Sequence, residues 1–151
     1  MTGKVMRKSF ILALALCLGA YLAVAALDSN AAKKPSYVDQ AVAKCKSTKQ
    51  PVPMQEAKNN LSTGGWLILD VRTEQEFKKG HLPGAVNIPR GKLEFVVEKQ
   101  IPDYKTKIMV YCKSGGRAAL AACTLRDMGY SSVIAMNDGF DQWAKVGFPV
   151  E

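Results

Sequence analysis

The 151-residue chain has a single histidine, His81, and its four cysteines include no Cys-x-x-Cys pair. Zinc sites are built from clustered cysteine and histidine ligands, so neither a structural nor a catalytic zinc site is expected. No other pattern in the chain indicates a bound group. We therefore predict no metal and no cofactor.

Aromatic residues make up only 8% of the chain, and its lysines are scattered rather than gathered into a basic stripe. Single-stranded nucleic-acid sites combine a basic groove with stacking aromatics, so nucleic acid is not the expected partner. The formal net charge is nevertheless +8. A basic surface attracts anions, which leaves small anionic molecules as the expected ligands.

The N-terminal segment has the layout of a secretory signal peptide. An apolar run over 10–27 follows three basic residues, Lys4, Arg7 and Lys8. Cleavage after Ala25 or after Ala31 would satisfy the small-x-small pattern. The run also approaches the roughly 20 residues of a membrane span, so an uncleaved anchor is the alternative, and only this alternative involves the membrane. In both cases we expect residues 33–151 to be exported, to the periplasm or the outer face of the membrane.

The chain divides into a targeting segment at 1–31, a linker with a helix at 32–50, and a folded domain at 51–151. In the folded part, short apolar runs alternate with helical patterns, which predicts an α/β protein with a parallel sheet. The predicted strands are 66–69, 85–88, 108–111 and 132–135. The predicted helices are 38–47, 55–61, 74–79, 93–98, 116–128 and 139–146.

One loop combines a cysteine with the features of an anion site. Strand 108–111 places Cys112 at its carboxyl end, where ligands bind in open α/β sheets. The next five residues are Lys113, Ser114, Gly115, Gly116 and Arg117. The glycines allow successive N–H groups to converge, the following helix directs its positive end at the same point, and two side chains add charge. We expect Cys112 to be ionised and nucleophilic, rather than an inert core cysteine.

Three segments of the chain resemble the rhodanese family over about residues 50–151. The first is Leu69-Asp70-Val71-Arg72 with the stretch 76–89, the second is the loop 111–117, and the third runs from Asp138-Gly139-Phe140 to Trp143 and 147–150. The resemblance implies a rhodanese-like fold, in which a five-stranded parallel sheet has helices on both faces. It also implies that Cys112 accepts a sulfane sulfur as a persulfide and that the backbone amides of 113–117 hold it.

The length of the loop distinguishes the enzyme classes that are compatible with this resemblance. Cys112 to Arg117 spans six residues, the length typical of the family's sulfurtransferases, whereas related phosphatases and arsenate reductases have one more. The predicted function is an exported single-domain sulfurtransferase that moves sulfur from thiosulfate or polysulfide to a thiophilic acceptor. The alternative is a module that binds sulfur and delivers it to a protein acceptor, and a cysteine phosphatase or arsenate reductase is disfavoured. The oligomeric state stays open.

Residues near the signatures receive weaker predictions. The ring of His81 is expected to bond nearby backbone, and Asp70 to bond turn amides after its strand. Arg72 is expected either to pair with Glu76, four residues on, or to line the mouth of the site for an anionic substrate. Arg90 is the second candidate for attracting substrate.

Cys45 and Cys123 are the other cysteines outside the targeting segment. Export would permit a disulfide between them and leave Cys112 free, although the cysteine count does not require it.

Overall fold

The computed structural model describes residues 35–151. The predicted targeting segment and most of the linker therefore lie outside the described residues. Within 35–151, no helix is both long enough and apolar enough to cross a membrane. The elements in chain order are α1 (Tyr37–Thr48), α2 (Met54–Thr63), β1 (Leu67–Asp70), α3 (Glu74–Lys78), β2 (Val86–Asn87), a 3-10 turn (Arg90–Lys92), α4 (Leu93–Gln100), β3 (Lys107–Tyr111), α5 (Gly116–Asp127), β4 (Ser132–Ala135) and α6 (Gly139–Lys145).

The described strands form a parallel sheet in the order β2-β1-β3-β4. Within residues 35–151 the sheet has four strands, so the fifth strand implied by the resemblance is not confirmed. Where a fifth would lie, Val52 makes a single parallel bridge to Met136, donating its N–H to Ala135 at 2.8 Å and accepting from Asn137 at 3.1 Å. Val52 stands between Pro51 and Pro53, which have no N–H to extend the ladder, so pairing stops after one residue.

Apolar residues on the two faces of the sheet bury two separate cores, as the alternation of side chains along a strand requires. On one face Leu69, Ile108 and Val110 pack with residues of α4 and α5. On the other, Ile68, Met109 and Tyr111 pack with residues of α2 and α6. The predicted α/β architecture with helices on both faces is thus confirmed.

The register of the sheet brings two functional segments to the same edge. Asp70, the last residue of β1, is paired with Tyr111, the last residue of β3. The segment after Asp70 and the segment after Tyr111 therefore begin side by side at the carboxyl edge of the sheet. This is the edge at which open α/β sheets bind ligands.

Candidate active site around Cys112

Cys112 follows β3 directly, and its side chain is almost completely buried, with 1% exposure. Its Sγ accepts a hydrogen bond from the Gly115 N–H at 3.2 Å. The next residue, Gly116, begins the twelve-residue helix α5. The thiol therefore lies inside the turn that opens a helix, where backbone N–H groups and the helix dipole favour negative charge.

Two glycines determine the shape of the loop. Gly115 has a left-handed backbone with φ of 89°, and a Cβ there would collide with the Asn137 carbonyl. Gly139 has φ of 74°, and a Cβ there would collide with the Lys113 carbonyl. The loop is therefore packed backbone to backbone against the segment that begins α6.

Hydrogen bonds hold these two segments together. The Phe140 N–H donates to the Cys112 carbonyl at 2.8 Å, and the Asp141 N–H donates to the Lys113 carbonyl at 3.2 Å. These bonds fix the backbone immediately after the Cys112 side chain. In the sequence, 138–140 belongs to one of the segments that resemble the rhodanese family. The apolar pattern that predicted the helices does not indicate that this segment hydrogen-bonds to the backbone of the loop.

Arg117 ends the loop and forms a two-point ion pair with Glu76 of α3. Its Nη1 and Nη2 donate to Oε2 and Oε1 at 2.9 and 2.8 Å. Hydrogen bonding to Arg117 lowers the pKa of Glu76 to about 2, and the same bond raises the pKa of Arg117. Both groups are therefore charged at neutral pH. The carboxylate neutralises part of the positive charge that the sequence assigned to the loop.

Arg72 does not pair with Glu76. Its guanidinium is buried, donates to both carboxylate oxygens of Asp70 and to the Gly80 carbonyl, and stacks 4.0 Å from the centre of the Phe140 ring. The four-residue spacing of Arg72 and Glu76 would bring them together only within a helix. Arg72 lies before α3, which begins at Glu74, so the expected pair does not form. Arg72 also lines a pocket together with Lys113 of the loop and Phe140, so its predicted place at the mouth of the site stays a prediction that this geometry favours.

Three further side chains can be placed. Asp70 accepts the Arg72 N–H at 2.8 Å, which confirms its expected bond to a turn amide. The His81 Nδ1 lies 3.2 Å from the Phe77 carbonyl, as expected for a ring bonded to nearby backbone. Arg90 donates to Glu94 at 2.7 Å and to the Thr124 hydroxyl at 3.0 Å, and Thr124 lies in the C-terminal half of α5, away from the loop. The Arg90 guanidinium thus contacts Glu94 and Thr124 rather than loop residues, and its role in attracting substrate stays a prediction.

Lys113 and Ser114 are exposed on the outer side of the loop. The Lys113 Nζ lies 3.8 Å from an Asp141 carboxylate oxygen, with both side chains about 60% exposed. Pairs this exposed contribute little free energy. Lys113 thus provides an exposed surface charge in a weak ion pair, whereas Arg117 is bonded at two points to Glu76.

The remaining cysteines are joined. Cys45 of α1 forms a disulfide with Cys123 of α5, and their Cα atoms are 5.7 Å apart. Cys112 is the free cysteine of the described residues. The pairing that the sequence left open is therefore present.

The fold and the site together define a class of cysteine-dependent transfer domains. Their shared features are a parallel α/β sheet and a buried cysteine in a six-residue loop that opens a helix. A family model of the rhodanese-like domain matches residues 53–146, which is more than half of the chain. The chain therefore belongs to the rhodanese-like domain family.

Individual relatives agree with this assignment. The chloroplastic thiosulfate sulfurtransferase 16 of Arabidopsis thaliana is 33% identical over 103 residues, which cover 62% of this chain and 86% of the relative. A human single-domain sulfurtransferase structure has a TM-score of 0.57 and 25% identity, covering 63% of this chain and 95% of the other. Some other curated relatives are longer, and the match covers only 40% and 19% of two of them.

A second structure matches more of the chain. It is a protein of unknown function from Rhodopseudomonas palustris, described as a possible tyrosine phosphatase, with a TM-score of 0.69 and 27% identity. The match covers 80% of this chain and 98% of the other.

Proposed function

We propose that this protein is an exported sulfurtransferase that transfers sulfane sulfur from thiosulfate or polysulfide to a thiophilic acceptor through a persulfide on Cys112. The observation that carries the proposal is the Gly115 N–H bonded to Cys112 Sγ within the six-residue turn that opens α5. A backbone donor so placed stabilises a thiolate, and it stabilises a persulfide anion in the same way.

Two half-reactions follow. The Cys112 thiolate attacks the outer sulfur of thiosulfate, forming an S–S bond and releasing sulfite with the electron pair of the broken bond. An acceptor nucleophile then attacks the outer sulfur of the Cys112 persulfide, and the electron pair of that S–S bond returns to Sγ. Such a cycle predicts ping-pong kinetics. The steps balance without an external oxidant or reductant, because the outer sulfur passes from donor to acceptor without a net change in the state of Cys112.

The test is to expose the purified protein to thiosulfate and map the added sulfur by mass spectrometry. We expect one sulfur atom on Cys112 in the parent protein and none on Cys112 in the Cys112→Ser variant. Multiple turnovers with cyanide would distinguish an enzyme from a delivery module, which would load sulfur but release it only to its partner. Hydrolysis of aryl phosphates without sulfur loading would contradict the proposal and favour a phosphatase.

Export is part of the proposal. It rests on the basic and apolar pattern of the N-terminal segment, and the Cys45–Cys123 disulfide supports it, because disulfides persist in oxidising compartments. Cell fractionation followed by N-terminal sequencing tests it. A mature chain that begins after Ala25 or Ala31 outside the cytoplasm is the expected result. Intact cytoplasmic protein would contradict export without affecting the sulfur chemistry.

A further inference from the structure

A groove runs along the first turns of α5, between that helix and α1, and has a volume of about 520 Å³. Clefts that bind small organic molecules enclose roughly 300–1,000 Å³. One wall consists of active-site loop residues, Ser114 and Gly116, and apolar side chains line the middle: Val38, Val42 and Leu120. The groove is therefore larger and more apolar than cyanide or thiosulfate requires.

The second wall of this groove is not part of the family domain. The rhodanese-like match begins at residue 53, whereas α1 ends at Thr48. Helix α1 buries none of its residues, and Val38 is 64% exposed. Its covalent attachment is the Cys45–Cys123 disulfide. An added helix with so little burial contributes little to a core, so its position beside the loop requires another explanation.

Lys46 carries the positive charge that the groove offers to a ligand. Its Nζ donates to the neutral Asn137 Oδ1 at 3.2 Å, and Asn137 in turn packs against Gly115 of the loop. Among the described residues, no carboxylate lies within ion-pair distance of Lys46. The cation is thus held beside the active loop by an uncharged partner.

The other two charged side chains that line the groove also have hydrogen-bond partners. Asp39 accepts hydrogen bonds from the Ser36 N–H and hydroxyl, which closes the capping box of α1. Arg117 is paired at two points with Glu76. A ligand in the groove therefore meets an apolar middle and two charges without an ionic partner: Lys46 and, about two helical turns away on α1, the Asp39 carboxylate.

We propose that this groove binds the sulfur acceptor, and that the acceptor is an organic thiol carrying a carboxylate, with the carboxylate at Lys46 and its carbon chain against Val42 and Leu120. The inference rests on the proposed function, because the thiol reacts with the Cys112 persulfide. The acceptor thiolate bonds to the outer sulfur, the bond from that sulfur to Sγ breaks, and its electron pair stays on Sγ. The acceptor leaves as its own persulfide, and Cys112 is again a thiolate.

The experiment compares acceptors of similar size in the full-length protein, with thiosulfate as donor. The acceptors are 3-mercaptopropionate, which is anionic, 2-mercaptoethanol, which is neutral, cysteamine, which is cationic, and cyanide. We expect Lys46→Gln to lower kcat/KM for 3-mercaptopropionate about fivefold and to leave the values for cyanide and 2-mercaptoethanol unchanged. Lys46→Glu should reverse the preference in favour of cysteamine.

Lys44→Gln is the matched control, because Lys44 is an exposed lysine of the same helix that does not line this groove. It should change none of the four values. Mass spectrometry without reductant, performed after each assay, verifies that the thiols have left the Cys45–Cys123 bond intact.

The outcomes separate the two proposals. If thiosulfate fails to load Cys112 in the parent protein, the proposed function is wrong and this inference falls with it. If Cys112 loads and turns over with cyanide, but Lys46→Gln leaves all acceptors unchanged or slows all of them equally, only the groove assignment is overturned. Selective loss with 3-mercaptopropionate and reversal by Lys46→Glu would support it.

Discussion

Arg117 and Glu76 form a two-point ion pair that joins the end of the active-site loop to helix α3, with N–O distances of 2.9 and 2.8 Å. The two residues are far apart in the sequence, so the pair ties the loop after β3 to the segment after β1. Two parallel N–H···O bonds restrict orientation as well as distance. The pair therefore fixes the position of the first turn of α5, which contains Arg117, relative to helix α3.

Glu76→Gln should lower the unfolding free energy at pH 7 by about 1 kcal/mol, a value already reduced for the partial exposure of the pair. The pKa of Glu76 is depressed from 4.5 to about 2 by the bond to Arg117, so its contribution is complete above pH 4.5 and is lost as the pH falls toward 2. Urea unfolding between pH 7 and pH 2 should show a flatter pH dependence in the variant.

Glu74→Gln is the control for that experiment. Glu74 lies on the same helix and pairs with Lys92, but both side chains are more than half exposed. Its replacement removes the same charge but leaves the ion pair between Glu76 and Arg117 of the active-site loop in place. An equal effect of the two variants on the pH dependence would contradict the role given to the Arg117–Glu76 pair.

Gly139→Ala should distort the active-site loop and reduce persulfide formation on Cys112. Its φ of 74° is strained for alanine, and the new Cβ would collide with the Lys113 carbonyl. Gly147→Ala is a matched control, because its φ is 77° and nothing lies within 4 Å of the new Cβ. We expect about 1 kcal/mol of destabilisation for Gly147→Ala from backbone strain, and at least 2 kcal/mol more for Gly139→Ala. Equal unfolding free energies and equal sulfur loading in the two variants would contradict the proposed role of the backbone contacts between the active-site loop and the start of α6.

Arg72→Ala should destabilise the protein by about 3–5 kcal/mol, because it leaves the Asp70 carboxylate buried without its charged partner. Arg90→Ala should cost less than about 1 kcal/mol, since its partly exposed pair with Glu94 is of the ordinary helical kind. Chemical denaturation of both variants checks this. A larger loss for Arg90→Ala would contradict the assignment of Arg72 as the structural arginine.

Most of the fold was accessible from the sequence because short apolar runs flanked by turn residues mark buried parallel strands. The run 108–111 became β3, at Lys107–Tyr111, and the Ala-rich stretch after the loop became α5, at Gly116–Asp127. The predicted strand 85–88 shrank to Val86–Asn87, since pairing depends on a neighbouring backbone that the pattern does not describe. Of the fifth strand, the described residues contain one parallel bridge at Val52, and the prolines on either side of Val52 cannot donate further ladder bonds.

The site was predicted less completely than the fold. Cys112 and the glycines follow from local chemistry, because a strand end, a flexible turn and a helix start are consecutive in the sequence. The partners of the arginines could not be derived, since Arg117 and Glu76 meet only through tertiary packing. Lys46 was missed for the same reason: nothing in its own segment shows that Asn137 and the loop lie beside it.

Replacing both Cys45 and Cys123 with serine should release α1 from the domain. Helix α1 buries no residue, and the disulfide is its covalent link to α5, so without it we expect the amides of α1 to exchange hydrogen nearly as fast as those of an unfolded peptide. The amides of α5 should keep their protection, because Ala118, Ala121 and Leu125 stay in the core. The bond closes a loop with a sequence separation of 78, and its loss should lower the unfolding free energy by up to about 4 kcal/mol.

Cys112→Ser is the control for this experiment, because it removes the free cysteine of the described residues and leaves the disulfide in place. Its α1 amides should exchange at the parent rate.

The double serine variant should still load one sulfur on Cys112, because the loop and its backbone hydrogen bonds to α6 do not depend on α1. It should also lose the preference for an anionic thiol, because Lys46 is no longer held beside the loop. Unchanged protection of α1 after removal of the disulfide would show that packing alone holds the helix in place.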